Sequence, residues 1–197
     1  ESGQVGNKEA KQRFVIDPID GTTNFIHAIP YVSISVAAQE RDDKGEWQTI
    51  AGIVYAPMQD EMFWAERNKG AYLGRLRLRC STRDAELLLS TSSPRKSRAN
   101  FEGTVKSFIK VVETGATVRC MGSAALDLAF VAAGRLDGTW YHRLNAWDMA
   151  AGALIVREAG GTVGAIEGGA ESNDVGSILA GNPRVFTALQ PLLQKAA

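Results

Sequence analysis

Asp17-Pro18-Ile19-Asp20-Gly21-Thr22-Thr23 is the stretch around which the rest of the chain is interpreted. It follows the short apolar run Phe14-Val15-Ile16, which predicts a buried strand that ends where the stretch begins. Pro18 restricts the residue before it to extended conformations, and Gly21 permits a sharp bend or a close approach to a ligand. The stretch is therefore predicted to leave the strand as a turn.

The two aspartates of this predicted turn, Asp17 and Asp20, lie three residues apart, so both carboxylates can point into one small volume. Like charges at that separation repel each other, and a hard divalent cation with oxygen ligands relieves the repulsion. The carbonyl of Ile19 between them is a third oxygen of the kind that Mg²⁺ accepts. The alternative is that both aspartates only shape a turn and cap a following helix, as Asp often does.

Composition narrows the class of protein. A chain of 197 residues fits one domain, or one large domain with two lobes. The 22 basic and 22 acidic residues cancel, which excludes a chain-wide basic field for nucleic acid but not a local basic patch. Cys80 and Cys120 lack zinc-site spacing and favour a reducing, intracellular setting. No apolar run approaches a membrane span, and the polar start shows no signal peptide.

The first half of the chain predicts an antiparallel or mixed sheet, because short strands are separated by compact polar turns. The predicted strands are residues 14–16, 32–40, 49–55 and 61–66, with an edge strand within 70–79. In this edge strand Arg75, Arg77 and Arg79 recur at period two and are predicted to share one face. A solvated strand face is the first interpretation, and a nucleic-acid patch is the less favoured one.

The second half alternates strands with helices and predicts a layered α/β architecture. Strands are predicted at residues 87–91, 117–120, 138–141, 162–165 and 177–180, and helices at 101–113, 122–134, 147–159 and after Pro183. No repeat or linker separates independent units, so a single domain over residues 1–197 is expected.

Three further features of the sequence can carry chemistry. Asp148 lies at the start of a predicted helix, and two interpretations of it are open. The helix dipole alone can favour an acidic residue there, or the carboxylate supplies another oxygen ligand to the metal site. The helix start at 122–124 offers free backbone N–H groups for an anion, as every helix start does. The hydroxyl of Thr22 can orient a water. His27 and His142 show no ligand spacing.

Two long motifs carry a resemblance to a known family. Asp17-Pro18-Ile19-Asp20-Gly21-Thr22-Thr23-Asn24-Phe25 resembles the first signature of the inositol monophosphatase family. Trp147-Asp148-Met149-Ala150-Ala151-Gly152 resembles the second, and segments 122–127 and 132–135 resemble bacterial members. The similarity runs essentially from end to end, with both signatures in the family's order.

The resemblance implies an α/β fold, the layered αβαβα sandwich of the inositol monophosphatase and fructose-1,6-bisphosphatase type. It implies a lithium-sensitive phosphomonoesterase with two or three Mg²⁺ ions per site. A small phosphate ester, inositol 1-phosphate first, is the expected substrate. A cytoplasmic homodimer with no membrane contact is the expected state.

The same resemblance assigns roles to individual residues. Asp17 bridges two metals, with the Ile19 carbonyl on one metal and Asp20 and Asp148 on the other. Thr22 helps to orient the water that the metal activates. The predicted substrate-binding set is Asp20, Gly21, Thr22, Gly122, Ser123, Ala124, Tyr141 and Asp148.

The chain departs from the family pattern at two places. Glu1-Ser2-Gly3 matches the end of a Glu-Glu motif whose first Glu is a metal ligand, so Glu1 is predicted to be the second, non-ligating Glu. The ligand and two N-terminal helices are then expected before residue 1. Tyr141, seven residues before Asp148, stands where the family commonly has a Glu that binds a sugar hydroxyl.

Other functions stay open at this stage. The Tyr141 departure allows a relative that acts on fructose 1,6-bisphosphate, histidinol phosphate or a phosphoadenosine nucleotide. Some bacterial relatives associate with the transcription machinery, so a binding protein that contacts this machinery or nucleic acid is the alternative outside the enzymes.

Overall fold

A computed structural model describes residues 3, 6–7, 9–96 and 101–195 of the chain. Glu1, the predicted non-ligating Glu, lies outside the described residues. The described part is a mixed α/β structure with two sheets, as the sequence predicts.

The first sheet, sheet A, is antiparallel, and its six strands are hydrogen-bonded in chain order. They are β1 Gln12–Asp20, β2 Ser33–Arg41, β3 Trp47–Ala56, β4 Glu61–Glu66, β5 Gly70–Leu73 and β6 Leu76–Arg77. The short helix α1, Thr22–Ile26, connects the first two strands. This meander is the structure expected of short strands joined by tight polar turns.

The second sheet, sheet B, is mixed and has the strand order β10-β11-β9-β7-β8. Its strands are β7 Leu88–Thr91, β8 Thr117–Arg119, β9 Gly138–Asn145, β10 Thr162–Gly164 and β11 Val175–Gly181. Four helices alternate with them: α2 Phe101–Glu113, α3 Ala124–Ala132, α4 Ala146–Glu158 and α5 Pro183–Gln194. The pairs β7–β8 and β7–β9 are parallel. Helix α2 connects β7 to β8, and α3 connects β8 to β9.

Helices α3 and α4 lie between the two sheets. They pack on each other and on strands of both sheets, and most of their side chains are buried. A helix that is apolar all round belongs in such an interior. Alternate side chains of β9 and β11 contribute to two different hydrophobic cores. Tyr141 and Ile178 pack with α3 and α4. Trp140 and Leu179 pack with α2 and α5.

The described residues therefore form four layers, in the order sheet A, α3 with α4, sheet B, and α2 with α5. The layered sandwich that the sequence predicts is confirmed. The fifth layer of the expected αβαβα order does not lie within the described residues. The face of sheet A that this layer would cover is apolar and exposed, and it carries Phe14, Ile16, Ile34, Ile53 and Met62.

The predicted strands and helices are present, but the strand at 14–16 is not buried as predicted, because Phe14 and Ile16 are exposed. Helix α2 and strand β4 have the predicted bounds. The predicted face of arginines is wrong, because only Arg77 lies in a strand, while Arg75 is in the preceding turn and Arg79 follows the strand. All three are exposed. No helix in the described ranges is both long and apolar enough to cross a membrane.

Candidate active site

A β-bulge at the end of β1 sets the positions of the first two aspartates. Asp17 pairs with Ser35 and Asp20 with Ser33, so β1 advances three residues while β2 advances two. An extra residue in one strand resets the alternation of side chains between faces. The stretch was predicted to leave the strand as a turn from Asp17, but β1 continues through the bulge to Asp20.

The chain turns directly after this bulge, at Gly21. Its φ is 96°, and a Cβ there would lie 3.0 Å from the carbonyl oxygen of Tyr31. Both the left-handed backbone and the close approach require glycine. Thr22 then begins α1 and directs its hydroxyl back to the Ile19 carbonyl oxygen, at 3.3 Å.

Three carboxylates meet at this point. Asp148, in the first turn of α4, joins Asp17 and Asp20, and one oxygen from each lies within 4.8 Å of the others. The two signatures, more than a hundred residues apart in the sequence, thus contribute to one cluster. Three carboxylates so close together suit a hard divalent cation, since its charge offsets their mutual repulsion.

Asp20 is held by the start of α3. Its Oδ2 accepts hydrogen bonds from Ser123 Oγ and from the backbone N–H of Ala125, both at 2.7 Å. Ser123 also caps α3, and its hydroxyl lies 3.0 Å from that of Ser33 on β2. The helix start that was predicted to bind an anion therefore holds Asp20, and Ser123 is buried behind it.

The other two carboxylates are also fixed by backbone groups. Asp17 Oδ1 accepts from the N–H of Ile19 at 3.0 Å, which stabilises the bulge. Asp148 Oδ2 accepts from the N–H of Asn145 at 3.0 Å, as part of the capping box that begins α4. Asp148 therefore fulfils the capping role and also lies in the cluster, so the two interpretations of this residue are compatible.

The cluster forms part of the wall of a cavity of about 1050 Å³. Apart from Ser123, every predicted site residue lies on this wall: Asp17, Ile19, Asp20, Gly21, Thr22, Gly122, Ala124, Tyr141 and Asp148. Further along, the wall includes Ser92, Ser93, Arg95, Cys120, Arg143 and Asn145. A concave site with a few convergent polar groups is typical of a small-molecule site.

Tyr141 lies on the cavity wall, but its hydroxyl is directed into the protein. It donates to Oδ2 of Asp127 at 2.6 Å, and the hydroxyl of Tyr31 donates to Oδ1 of the same carboxyl at 2.7 Å. Asp127 is fully buried, and burial raises its pKa to about 7. The two phenols thus satisfy a buried carboxyl group that would otherwise be costly.

Burial also perturbs the acid cluster. It raises the pKa of Asp20 to about 6, with the charge of Asp17 adding to the effect. It raises the pKa of Asp148 to about 7, again with contributions from the neighbouring aspartates. Perturbed carboxyl groups in a cleft are a mark of functional sites. In the metal-free protein these groups resist ionisation, and a cation would favour it.

Comparison with known proteins agrees with this geometry. A model of the inositol monophosphatase family matches residues 1–196. The chain belongs to the inositol monophosphatase family. The inositol-1-monophosphatase of Rhizobium meliloti (strain 1021) is 41% identical over 197 residues, which cover 99% of this chain and 72% of the relative. The Nus factor SuhB of Escherichia coli (strain K12) is 44% identical over 191 residues, covering 96% and 70%.

A solved structure of the same family shares the fold. The extragenic suppressor protein suhB of Bartonella henselae superposes with a TM-score of 0.91 at 39% identity. It covers all of this chain, and the chain covers 74% of that structure. The inositol monophosphatase family assignment therefore rests on sequence and on fold together.

Sequence reasoning missed the residues that support the carboxylate cluster from behind. Asn24 is buried, and its amide donates to the carbonyls of Tyr31 and Met121 at 2.8 and 2.7 Å, which ties α1 to the turn before α3. The sequence places Asp127 only within segment 122–127, which resembles bacterial members of the family, and assigns it no role. An acidic residue amid the apolar run of α3 was the one signal that it needed buried partners.

The metal-free protein should lose stability as pH rises from about 5.5 to 8. The pKa values of Asp20 and Asp148 in the folded protein, about 6 and about 7, lie above the usual value for Asp in an unfolded chain. Protonated carboxyls therefore favour the folded state, and this contribution is lost as pH passes through the folded-state values. We expect the melting temperature in EDTA to fall across this range, and Mg²⁺ to raise it most near pH 8, where the carboxylates are ionised.

Thermal unfolding at several pH values, with EDTA or Mg²⁺, measures both effects. Asp148→Asn should flatten the decline in EDTA and reduce the shift caused by Mg²⁺. Asp84→Asn, an exposed carboxylate paired with Arg184, is the matched control and should leave both unchanged. A melting temperature in EDTA that rises from pH 5.5 to 8 would contradict the prediction.

Proposed function

We propose that this chain hydrolyses a phosphate monoester with Mg²⁺ as cofactor. The observation that carries the proposal is the meeting of Asp17, Asp20 and Asp148 on the wall of one cavity, within 4.8 Å of each other. Family membership supports phosphatase chemistry.

The residues fit a magnesium site by their chemistry. Three carboxylates and the Ile19 carbonyl, which also lies on the cavity wall, form the all-oxygen ligand set that Mg²⁺ prefers. Asp17, Asp20, Asp148 and the Ile19 carbonyl are the groups that would hold the Mg²⁺ ions. When bound, Mg²⁺ supplies a Lewis acid for the phosphoryl oxygens and lowers the pKa of a water.

The protein's own groups position the reactants. Thr22 directs its hydroxyl proton to the Ile19 carbonyl, which leaves the Oγ1 lone pairs free to accept a hydrogen bond from the attacking water. Gly21, Thr22, Gly122 and Ala124 line the cavity beside the carboxylates and are proposed to hold phosphate and substrate hydroxyls. Ser123 acts through Asp20, whose carboxylate it orients.

Inositol 1-phosphate is the first substrate to test, because the Rhizobium meliloti relative is named an inositol-1-monophosphatase. Fructose 1,6-bisphosphate, histidinol phosphate and a phosphoadenosine nucleotide are the alternatives within the enzyme class. Tyr141 bears on this choice, because its hydroxyl is bound to Asp127 and does not extend into the cavity as a carboxylate would.

Phosphate release from a panel of these esters, with Mg²⁺ and with EDTA, tests the proposed reaction. Turnover that requires Mg²⁺ and is inhibited by Li⁺ is the expected result. Turnover that persists in EDTA, or none with any ester at saturating Mg²⁺, would contradict the proposal.

We further propose one domain over residues 1–197, a homodimer, and a cytoplasmic location. The two cysteines support the location, since both are free thiols in the structure and favour a reducing setting. Sedimentation velocity would test the dimer.

A role in transcription is the second candidate, supported by the relative named Nus factor SuhB. The three arginines that suggested a nucleic-acid face do not share one strand face. An Asp20→Asn variant that lacks phosphatase activity yet retains its effect on transcription in cells would favour this role over catalysis.

A further inference from the structure

Arg143, near the end of β9, is a positively charged residue of the cavity wall. At the end of β9, Tyr141, Arg143, Leu144 and Asn145 line the cavity. The Nε2 atom of His142 lies 2.5 Å from the hydroxyl of Ser107.

A second arginine, Arg95, lines the same part of the cavity. A side pocket of about 30 Å³ opens there and is lined by both arginines together with Ser92 and Ser93. Arg95 and Arg143 therefore border one small volume, which His142 also lines. Both arginines are exposed to solvent.

Among the residues that the structure describes, neither arginine has a partner for its charge. Arg13, Arg41, Arg67, Arg83, Arg119, Arg135, Arg157 and Arg184 form hydrogen bonds or ion pairs within the described part of the chain. Arg95 and Arg143 form none there, and neither do Arg75, Arg77 and Arg79, but these three do not line the cavity. An arginine on a cavity wall with its five donors unused is suited to bind an anion from solution.

The carboxylates on the described part of the cavity wall belong to one cluster. Among the described lining residues, the carboxylates are Asp17, Asp20 and Asp148, which form the proposed metal site. Asp127 is buried behind Tyr141 and does not line the cavity, so its carboxyl group is not available beside the arginines to accept hydrogen bonds from a polyol. The cavity wall thus combines a carboxylate cluster, suited to hold a metal-bound phosphate, with two arginines suited to bind a negative group.

We propose that the substrate carries a second anionic group, a phosphate or a carboxylate, which Arg143 and Arg95 bind while the scissile phosphate lies at the acid cluster. This inference rests on the proposed phosphatase function and narrows its substrate class. It ranks bisphosphates above inositol 1-phosphate, which has one anionic group. It ranks histidinol phosphate last, because the amine of that ester would be repelled by the guanidinium groups.

The test compares three esters at saturating Mg²⁺. Fructose 1,6-bisphosphate carries a second phosphate, 2-phosphoglycerate carries a carboxylate in its place, and fructose 1-phosphate carries neither. We expect kcat/KM to be at least about tenfold higher for one or both of the first two, since a charge-assisted contact supplies that much discrimination. Which of the two is preferred distinguishes phosphate from carboxylate.

Arg143→Ala should remove this preference. It should raise KM for the preferred ester by about tenfold or more with little change in kcat, because the second anion is bound equally before and during reaction. Fructose 1-phosphate should change by less than about threefold. Arg143→Lys should recover part of the loss, since lysine keeps the positive charge but lacks the paired N–H donors of the planar guanidinium group. Arg77→Ala, an exposed arginine in sheet A, is the matched control.

The outcomes separate this inference from the proposed reaction. Hydrolysis of all three esters with no preference for a second anion, or an equal loss on all three in Arg143→Ala, would overturn the inference and leave the phosphatase function intact. If no ester is hydrolysed, calorimetric titration of the three esters with Mg²⁺ still decides the inference. Tighter binding of the two-anion esters that Arg143→Ala abolishes would support it, and equal affinities would overturn it.

Discussion

Asp20→Asn should lower kcat for Mg²⁺-dependent phosphate release at least about 100-fold, which corresponds to about 2.7 kcal/mol of activation free energy. The amide oxygen of Asn can still accept from Ser123 and Ala125, so the local shape is retained. The lost group is the charged oxygen that a hard cation requires. Phosphate release at saturating ester and a range of Mg²⁺ concentrations measures the effect.

The thermal stability of the metal-free Asp20→Asn variant should be maintained or raised, although its activity falls. Because burial raises the pKa of Asp20 to about 6, ionising this carboxyl at pH 8 costs the metal-free fold free energy, and Asn removes that cost. The melting temperature of Asp20→Asn in EDTA at pH 8 should therefore equal or exceed that of the unchanged protein. Asp84→Asn controls for the chemistry of the substitution. Near-normal Mg²⁺-dependent turnover in Asp20→Asn would show that the metal assignment is wrong.

The parts of the fold that the sequence predicts are those set by local pattern. The amphipathic spacing of 101–113 and the compact run at 61–66 predict α2 and β4 with their observed bounds. Pro18 and Gly21 indicate a break at the end of β1, but they do not distinguish a turn from a bulge. That choice depends on hydrogen bonding between β1 and β2, which no local pattern encodes.

The supporting contacts of the site could not be predicted for the same reason. Asp20 and Ser123 are separated by 103 residues, and Tyr31 and Asp127 by 96. Resemblance to a family locates the cluster of carboxylates, because those residues are part of its signatures. It does not locate Arg143, which lies between the two signatures. Only the folded structure shows that Arg143 lines the same cavity as Asp148.

Gly122→Ala should impair both folding and catalysis. Gly122 has a φ of 97°, which costs an L-residue about 1–2 kcal/mol. An added Cβ would also lie 2.8 Å from Nδ2 of Asn24, well inside contact distance. The Asn24 amide cannot move away without losing its hydrogen bonds to the Tyr31 and Met121 carbonyls. We therefore expect a loss of unfolding free energy of about 3 kcal/mol, since a buried amide left without partners costs more than strain alone.

The catalytic loss follows from what the turn at Gly122 supports. The next residue, Ser123, and the N–H of Ala125 hold the Asp20 carboxylate, so a displaced turn moves a proposed metal ligand. Gly115→Ala is the matched control, because Gly115 has a φ of 87° and nothing within 4 Å of an added Cβ. Gly115→Ala should lose only the unfolding free energy that corresponds to the backbone strain, and it should keep full turnover. Denaturant unfolding and phosphate release on both variants measure the difference. Equal stability losses, with turnover intact in Gly122→Ala, would show that Asn24 yields to the methyl group and that the start of α3 does not position Asp20.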